Sequence, residues 1–271
     1  MEVLPRPSFQ SFPMLAGSRA QAWTYSPRYR RPRHFHGEPE LNVVVHGSAS
    51  FGIGDRVREV RAGELLSFPP GQDHVLLRGS PDLELFTVGM RAEFAADACR
   101  NAEASARLLH VKLSSNALAS LRARCGDVTG VAGADQNIAE LWQLALWSAK
   151  TGGSSLVEPH VITRRTLAIC DRNPEVTRAE LARSMRTDPT EISRHFHRDL
   201  GVTLSAYRQR LRVLRVIHAF DRGASLTSAA LDAGFGSYSQ CHRTFQSLFT
   251  QGPSDFLRSG AREAEESAFC P

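Results

Sequence analysis

The chain of 271 residues is 42% hydrophobic and 23% charged, a balance that excludes a disordered polypeptide and leaves room for two domains of ordinary size. No stretch approaches the roughly 20 apolar residues that a membrane-spanning helix requires, so no membrane partner is expected. The formal charge of +5 is unevenly spread: residues 156–260 hold 15 arginines against 10 acids, whereas residues 1–155 hold 17 basic and 15 acidic side chains.

The first residues, MEVLPRPSFQSFPM, carry an early acid and three prolines and lack the basic start and apolar run of a secretory signal. The five cysteines (Cys99, Cys125, Cys170, Cys241, Cys270) are scattered and form no CxxC pair. That argues against a disulfide framework or a zinc ribbon and fits a cytoplasmic protein.

Short β-like runs come next: LNVVV (41–45), ASFGI (49–53), VREV (57–60), ELLSF (64–68), HVLL (74–77) and LELFTVG (83–89). Turn compositions such as GDR and PPGQD separate them, and strands so closely spaced predict a small β-barrel or sandwich. After Met90 the pattern turns helical, with residues 92–124 and 137–150 rich in alanine and leucine and free of proline. In NIAELWQLALWSAK, Ile138, Leu141, Trp142, Ala145, Leu146 and Ala149 share one helix face, a stripe for core or for a homodimer partner. TGGSS (151–155) reads as a flexible linker.

Beyond it, VTRAELARSMRTDPTEISRHFHRDLG (176–201) pairs two short amphipathic helices across the turn Arg186-Thr187-Asp188. Asp188 suits an N-cap, Pro189 a first helical residue and Gly201 a helix end. Ile192, His195 and Phe196 form the inner face of the second helix. Thr190, Ser193, Arg194 and His197 then point outward, as major-groove reading requires. The arrangement recurs in SLTSAALDAGFGSYSQCHRTFQSLF (225–249), where Gly234 makes the turn and Tyr238, Ser239, Gln240, His242 and Arg243 line the outer face. A helix from Leu204 to Asp221 with four arginines separates the two units.

The segment from about 176 to 258 resembles the DNA-binding domain of AraC/XylS-type transcription regulators. AGFGSYSQCHRTFQSLFTQGPSDFLR (233–258) looks like that family's signature at Gly234-Phe235, Ser239, Arg243, Phe245 and Gly252-Pro253. The first unit matches at Ile192, Ser193, Arg194, Phe196 and Gly201. Cys241 stands where the family has phenylalanine, Thr250 where it has glycine and Gly252 where it has threonine. Carried over by position, the resemblance implies Thr190, Ser193 and Arg194 as base-facing in the first unit, and Tyr238, Ser239, Gln240, His242 and Arg243 in the second.

HFHGEPELNVVVHG (34–47) resembles the first cupin signature at His34, His36, Glu40 and Gly47, and GELLSFPPGQDH the second at Gly63, Pro69, Gly71 and His74. Arg78 replaces the usual terminal asparagine, and Arg28 the glycine often found before the first histidine. Strand alternation puts His34 and His36 on one face, and the turn residues deliver His74 beside them. Three imidazoles and the Glu40 carboxylate suit a divalent transition metal, without separating nickel, zinc, iron and manganese. The competing expectation is that these histidines only line an effector pocket. Arg28, Arg30, Arg31 and Arg33 read either as an attractor for an anionic effector or, by preference, as a solvated arm.

The expectation is an α+β protein. A cupin-like sensor barrel spans 1–90, a helical connector and linker 91–155, a DNA-binding domain with two helix-turn-helix units 156–260, and a disordered acidic tail 261–271. Its function is then that of a regulator, not an enzyme, under control of a metal or small-molecule effector. Its partners are double-stranded DNA, RNA polymerase and a second copy of the chain. The alternative is a metal-dependent cupin enzyme, dioxygenase-like, fused to a DNA-binding domain.

Overall fold

The computed structural model describes residues 6–25, 31–98, 108–151, 154–157, 159–173 and 175–258. The expected acidic tail at 261–271 lies outside them. Two β-sheets face one another in a jelly-roll-like sandwich. One contains β1 (Ser8–Phe9), β3 (His34–Phe35), β8 (His74–Gly79), β5 (Ser48–Ile53) and β6 (Arg56–Arg61), in that order. The other runs β11 (Ser154–Val157), β10 (Leu109–Lys112), β7 (Glu64–Phe68), β4 (Glu40–His46), β9 (Glu84–Met90) and β2 (Ala20–Thr24).

Strand β4 shows why LNVVV is apolar without alternation. Leu41, Val43 and Val45 face a core shared with α2 (Ser115–Val128) and α3 (Asp135–Thr151), where they meet Leu121, Ile138, Leu141, Trp142 and Ala145. Glu40, Asn42 and Val44 point the other way, into the sandwich, and all six are buried. The helical stripe at 137–150 is therefore core, while Trp147 on the opposite side of α3 is 63% exposed.

Residues 92–124 do not form the continuous helical stretch expected of them. Helix α1 (Ala92–Ala98) is followed, after residues not described, by β10, which pairs antiparallel with β7 from Leu109↔Ser67 to Lys112↔Glu64. Four residues carry too little periodicity to announce a strand inside alanine-rich surroundings. The two glycines of the expected linker lie outside the described residues, and Ser154–Val157 adds β11 to the sheet edge beside β10.

The C-terminal helices are α4 (Val161–Arg172), α5 (Arg178–Met185), α6 (Pro189–Leu200), α7 (Leu204–Asp221), α8 (Leu226–Asp232), α9 (Tyr238–Phe249) and α10 (Pro253–Arg258). A capping box between Thr177 and Glu180 opens α5. Asp188 caps α6, Pro189 follows at its first position, and Gly201 ends it in the left-handed region at φ 64°. Ser237 caps α9, and Thr250 ends it at φ 60°. A β-branched residue there is strained, since the left-handed region brings its Cβ against the backbone at about 1–2 kcal/mol. Thr250→Gly is therefore expected to raise stability by about 1 kcal/mol, read as a higher urea midpoint with unchanged slope. A lowered midpoint would contradict this account of the turn.

The sandwich packs directly on the helical domain. The Asp55 amide donates to the Gly201 carbonyl (3.0 Å), the Gln72 amide to that of Leu200 (3.3 Å) and the Tyr207 hydroxyl to that of Pro70 (2.8 Å). Gly54 and Gly201 touch here, both at positive φ, and a Cβ on either would collide with the other turn.

Candidate metal centre and nucleic-acid interface

His34 on β3 and His74 on β8 are paired residues of neighbouring strands, and His36 follows β3. Glu40 opens β4 on the facing sheet. All four are buried, and one ring nitrogen from each histidine lies within 4.8 Å of the others. The structure thus brings together all the residues expected as metal ligands. Phe68 stacks on His74 at 4.2 Å, and Phe12 meets His36 edge-on at 5.9 Å, so both rings are held by packing.

The hydrogen bonds fix the tautomers. Each Nδ1 lies beside a backbone carbonyl: His34 at Pro32 (2.8 Å), His36 at Glu38 (2.8 Å) and His74 at Gln72 (3.1 Å). A carbonyl can only accept, so Nδ1 carries the proton and Nε2 is left to act as a ligand. Nε2 of His36 and of His74 approach Glu40 Oε2 at 3.0 and 3.4 Å, and Nε2 of His34 is buried with no hydrogen-bond partner. A lone pair aimed at a carboxylate oxygen is unfavourable unless a proton or a cation lies between them. A divalent cation bound at this point would satisfy Glu40 and the orphaned Nε2 of His34 together.

Burial, and then the charge of Arg31, push the His34 imidazole well below its ordinary pKa, which keeps its Nε2 lone pair free at neutral pH. Glu40 is buried with them, 4% exposed. Its other oxygen accepts from the Asn42 amide (2.8 Å), whose carbonyl accepts from the Thr87 hydroxyl (3.0 Å). This chain orients Glu40, and its members alternate along β4 and β9 without any motif to announce them.

His34 and His74 open onto a pocket between the two sheets. Phe12, Trp23, Tyr25, Phe51, Leu76 and Leu85 supply apolar wall, and Arg31, Asn42 and Thr87 add polar groups. An apolar wall with a few convergent polar groups is the make-up of a small-ligand site. Arg31 and Arg33 are not a solvated arm. Arg31 donates to the Gln10 and Ser11 carbonyls and borders the cavity, and Arg33 is bound to Asp73. Arg28 and Arg30 lie outside the described residues.

The expected base-facing residues fall on two separate helices. On α6, Thr190 and Arg194 are exposed, and Arg194 is held by Glu191 one turn away (3.1 Å). Ser193 is half-buried, its hydroxyl turned back onto the Pro189 carbonyl (3.0 Å). On α9, Ser239, Gln240, His242 and Arg243 are exposed and Tyr238 is half-buried. The Gln240 side-chain oxygen accepts from the Gly236 amide (2.9 Å), leaving its NH2 group as the outward donor. At Gly252, which departs from the family pattern, a Cβ would lie 2.7 Å from Nε2 of the exposed His242 ring. Ile192 and Phe196 are buried as expected, whereas His195 is half-buried and stacks on His160 at 3.8 Å.

A sandwich with a mixed apolar and polar pocket, joined to paired helix-turn-helix units with exposed reading helices, has the make-up of ligand-responsive DNA-binding regulators. Comparison with known families gives the same division, with an AraC-like ligand binding domain matched over residues 15–146 and a helix-turn-helix domain over 181–259. The chain belongs to the AraC family of transcription regulators, with an N-terminal ligand-binding domain. Similar solved structures include ToxT from Vibrio cholerae (12% identity, 88% of this chain and 97% of that one, TM-score 0.45). ToxT bound to an unsaturated fatty acid aligns likewise (12% identity, 90% and 97% coverage, TM-score 0.46). The AraC-like transcriptional activator CuxR matches at 16% identity over 78% of this chain and 77% of its own, with TM-score 0.34. No curated protein matches the chain. Among the described residues no helix is long and apolar enough to cross a membrane.

Proposed function

We propose that this regulator is controlled by a divalent transition metal held by His34, His36, Glu40 and His74, either as the signal itself or as the anchor of a small effector in the cavity. The observation that carries the reading is the buried, unpartnered Nε2 of His34 beside two further Nε2 atoms aimed at one carboxylate oxygen. The bound ion would act as a Lewis acid on an effector's oxygen or nitrogen donors, and nickel, zinc, iron and manganese all accept this ligand set. The protein's own part is to fix the ligand tautomers, to shield the site with Phe12 and Phe68 and to supply the apolar wall.

DNA is read by Thr190, Ser193 and Arg194 in one groove and by Tyr238, Ser239, Gln240, His242 and Arg243 in the next. The chain acts in the cytoplasm, has no enzymatic turnover and works with RNA polymerase. A homodimer through the exposed side of α3, where Trp147 stands, is part of this reading. One bound metal ion per chain is expected in the purified protein and none in His36→Ala. Elemental analysis of both, after reconstitution, decides the matter, and a metal-free wild type would leave only an organic-effector pocket.

A further inference from the structure

Phe35 stands between His34 and His36 and, by strand alternation, points the opposite way from their imidazoles. It is fully buried in the core of the second reading unit, with Val213, Val216, Phe245 and Phe256. Its ring stacks against Phe249 at 6.2 Å and 16°, and the Arg210 guanidinium lies 5.4 Å from its centre. The short segment that carries two of the candidate ligands thus inserts the side chain between them into the DNA-binding domain.

A second connection runs through Asp73, the residue before His74. Asp73 is fully buried and bound by two arginines: Arg33, the residue before His34, and Arg210 of α7, the helix between the two reading units. Arg210 also donates to the Gly71 carbonyl (3.3 Å), and Tyr207, one turn earlier, to that of Pro70 (2.8 Å). Every histidine of the site is therefore a chain neighbour of a residue that grips the helical domain.

We propose that Phe35 and Asp73 are positioning residues through which the occupant of the histidine site sets the placement of the two reading helices. The inference rests on the metal reading given above. An ion that holds two ring nitrogens at about 2.1 Å keeps them no more than about 4.2 Å apart, and so fixes β3 against the start of β8. Phe35, Arg33 and Asp73 move with those backbones, because each is one peptide unit from a ligand, and Arg210 is bound to Asp73. α7 carries both reading units, so a shift at Arg210 changes their common placement.

The test uses the full chain, zinc(II) alone and a duplex enriched from random DNA by binding to the protein. Zinc affinity is measured with and without saturating duplex for wild type, Phe35→Leu and Asp73→Asn. By linkage, the factor by which duplex alters zinc affinity equals that by which zinc alters duplex affinity, typically about 5- to 150-fold in coupled systems. Wild type is expected in that range and both variants below about threefold, with zinc affinity in the absence of DNA nearly unchanged. Amide exchange in metal-free protein is the second readout, and α7 and α9 are expected to exchange faster in the variants. Should either variant fail to fold, Tyr207→Phe, which removes only the hydroxyl bonded to Pro70, takes its place. Undiminished coupling in folded variants overturns the proposal, as does a wild type whose zinc and duplex bind independently. A wild type that takes no zinc ends the metal reading, and the exchange measurement then decides alone, with unchanged α7 and α9 overturning the mechanical link.

Discussion

Alanine at Arg243 or Arg194 is expected to weaken binding to the cognate duplex by roughly 5- to 150-fold, the worth of one good bidentate contact to guanine. Binding to random DNA should change by no more than about threefold, since a single lost phosphate contact accounts for about one counterion. Both guanidinium groups are exposed on helices whose opposite faces are buried through Ile192, Phe196, Cys241 and Phe245. Arg194 is in addition held by Glu191, so part of its rotamer entropy is lost before DNA arrives. Band-shift titrations on the cognate and a scrambled duplex, each at two salt concentrations, separate the roles. Equal losses on both duplexes, with a salt slope reduced by about one, would assign the arginine to phosphate and remove it from base reading.

Phe196→Ala is expected to cost about 3–5 kcal/mol, the usual range for a buried phenylalanine truncated in a core that cannot collapse around the gap. Phe196 is fully buried and meets Tyr207 edge-on at 5.2 Å. It belongs to a core shared by both domains, with Phe51, Phe68 and Val44 from the sandwich and Ile192, Tyr207 and Leu211 from the helices. The loss should therefore reach beyond the first reading unit. The three tryptophans, Trp23, Trp142 and Trp147, all report on the N-terminal domain, and circular dichroism is dominated by the helices. In urea the two signals should shift together, to a lower midpoint, if the cores are shared. A dichroism transition that moves while fluorescence stays put would mean that the domains unfold independently.

The parts legible in the sequence are those with a local physical signature. ELLSF, the Asp188-Pro189 helix start and the Gly201 and Gly234 turns are set by propensity, capping and φ, all properties of a few adjacent residues. The histidine site was legible because its ligands fall at fixed spacings within two short segments, 34–47 and 63–74. Glu40's support from Asn42 and Thr87 was not, because Thr87 is 45 residues from Asn42 and only sheet pairing brings it near. The same holds for Arg33 and Arg210, which as sequence are two more arginines in a basic chain. Their meaning comes from Asp73, and nothing near Asp73 in the sequence foretells a partner 137 residues later. Strand β10 was missed for a related reason, since its pairing with β7 outweighs the composition of the helices around it.

The core of the second reading unit contains Phe9 and Phe35 together with Phe245 and Phe256. On a ribosome the first pair emerges more than 200 residues before the second. The unit must wait for the end of synthesis to close, and the phenylalanines exposed meanwhile are surface for a chaperone or for aggregation. Contacts of such sequence separation also make for slow folding once the chain is free. A fragment cut at the start of the helical domain would never receive Phe9 and Phe35. Such a fragment should be less soluble than its helix content suggests.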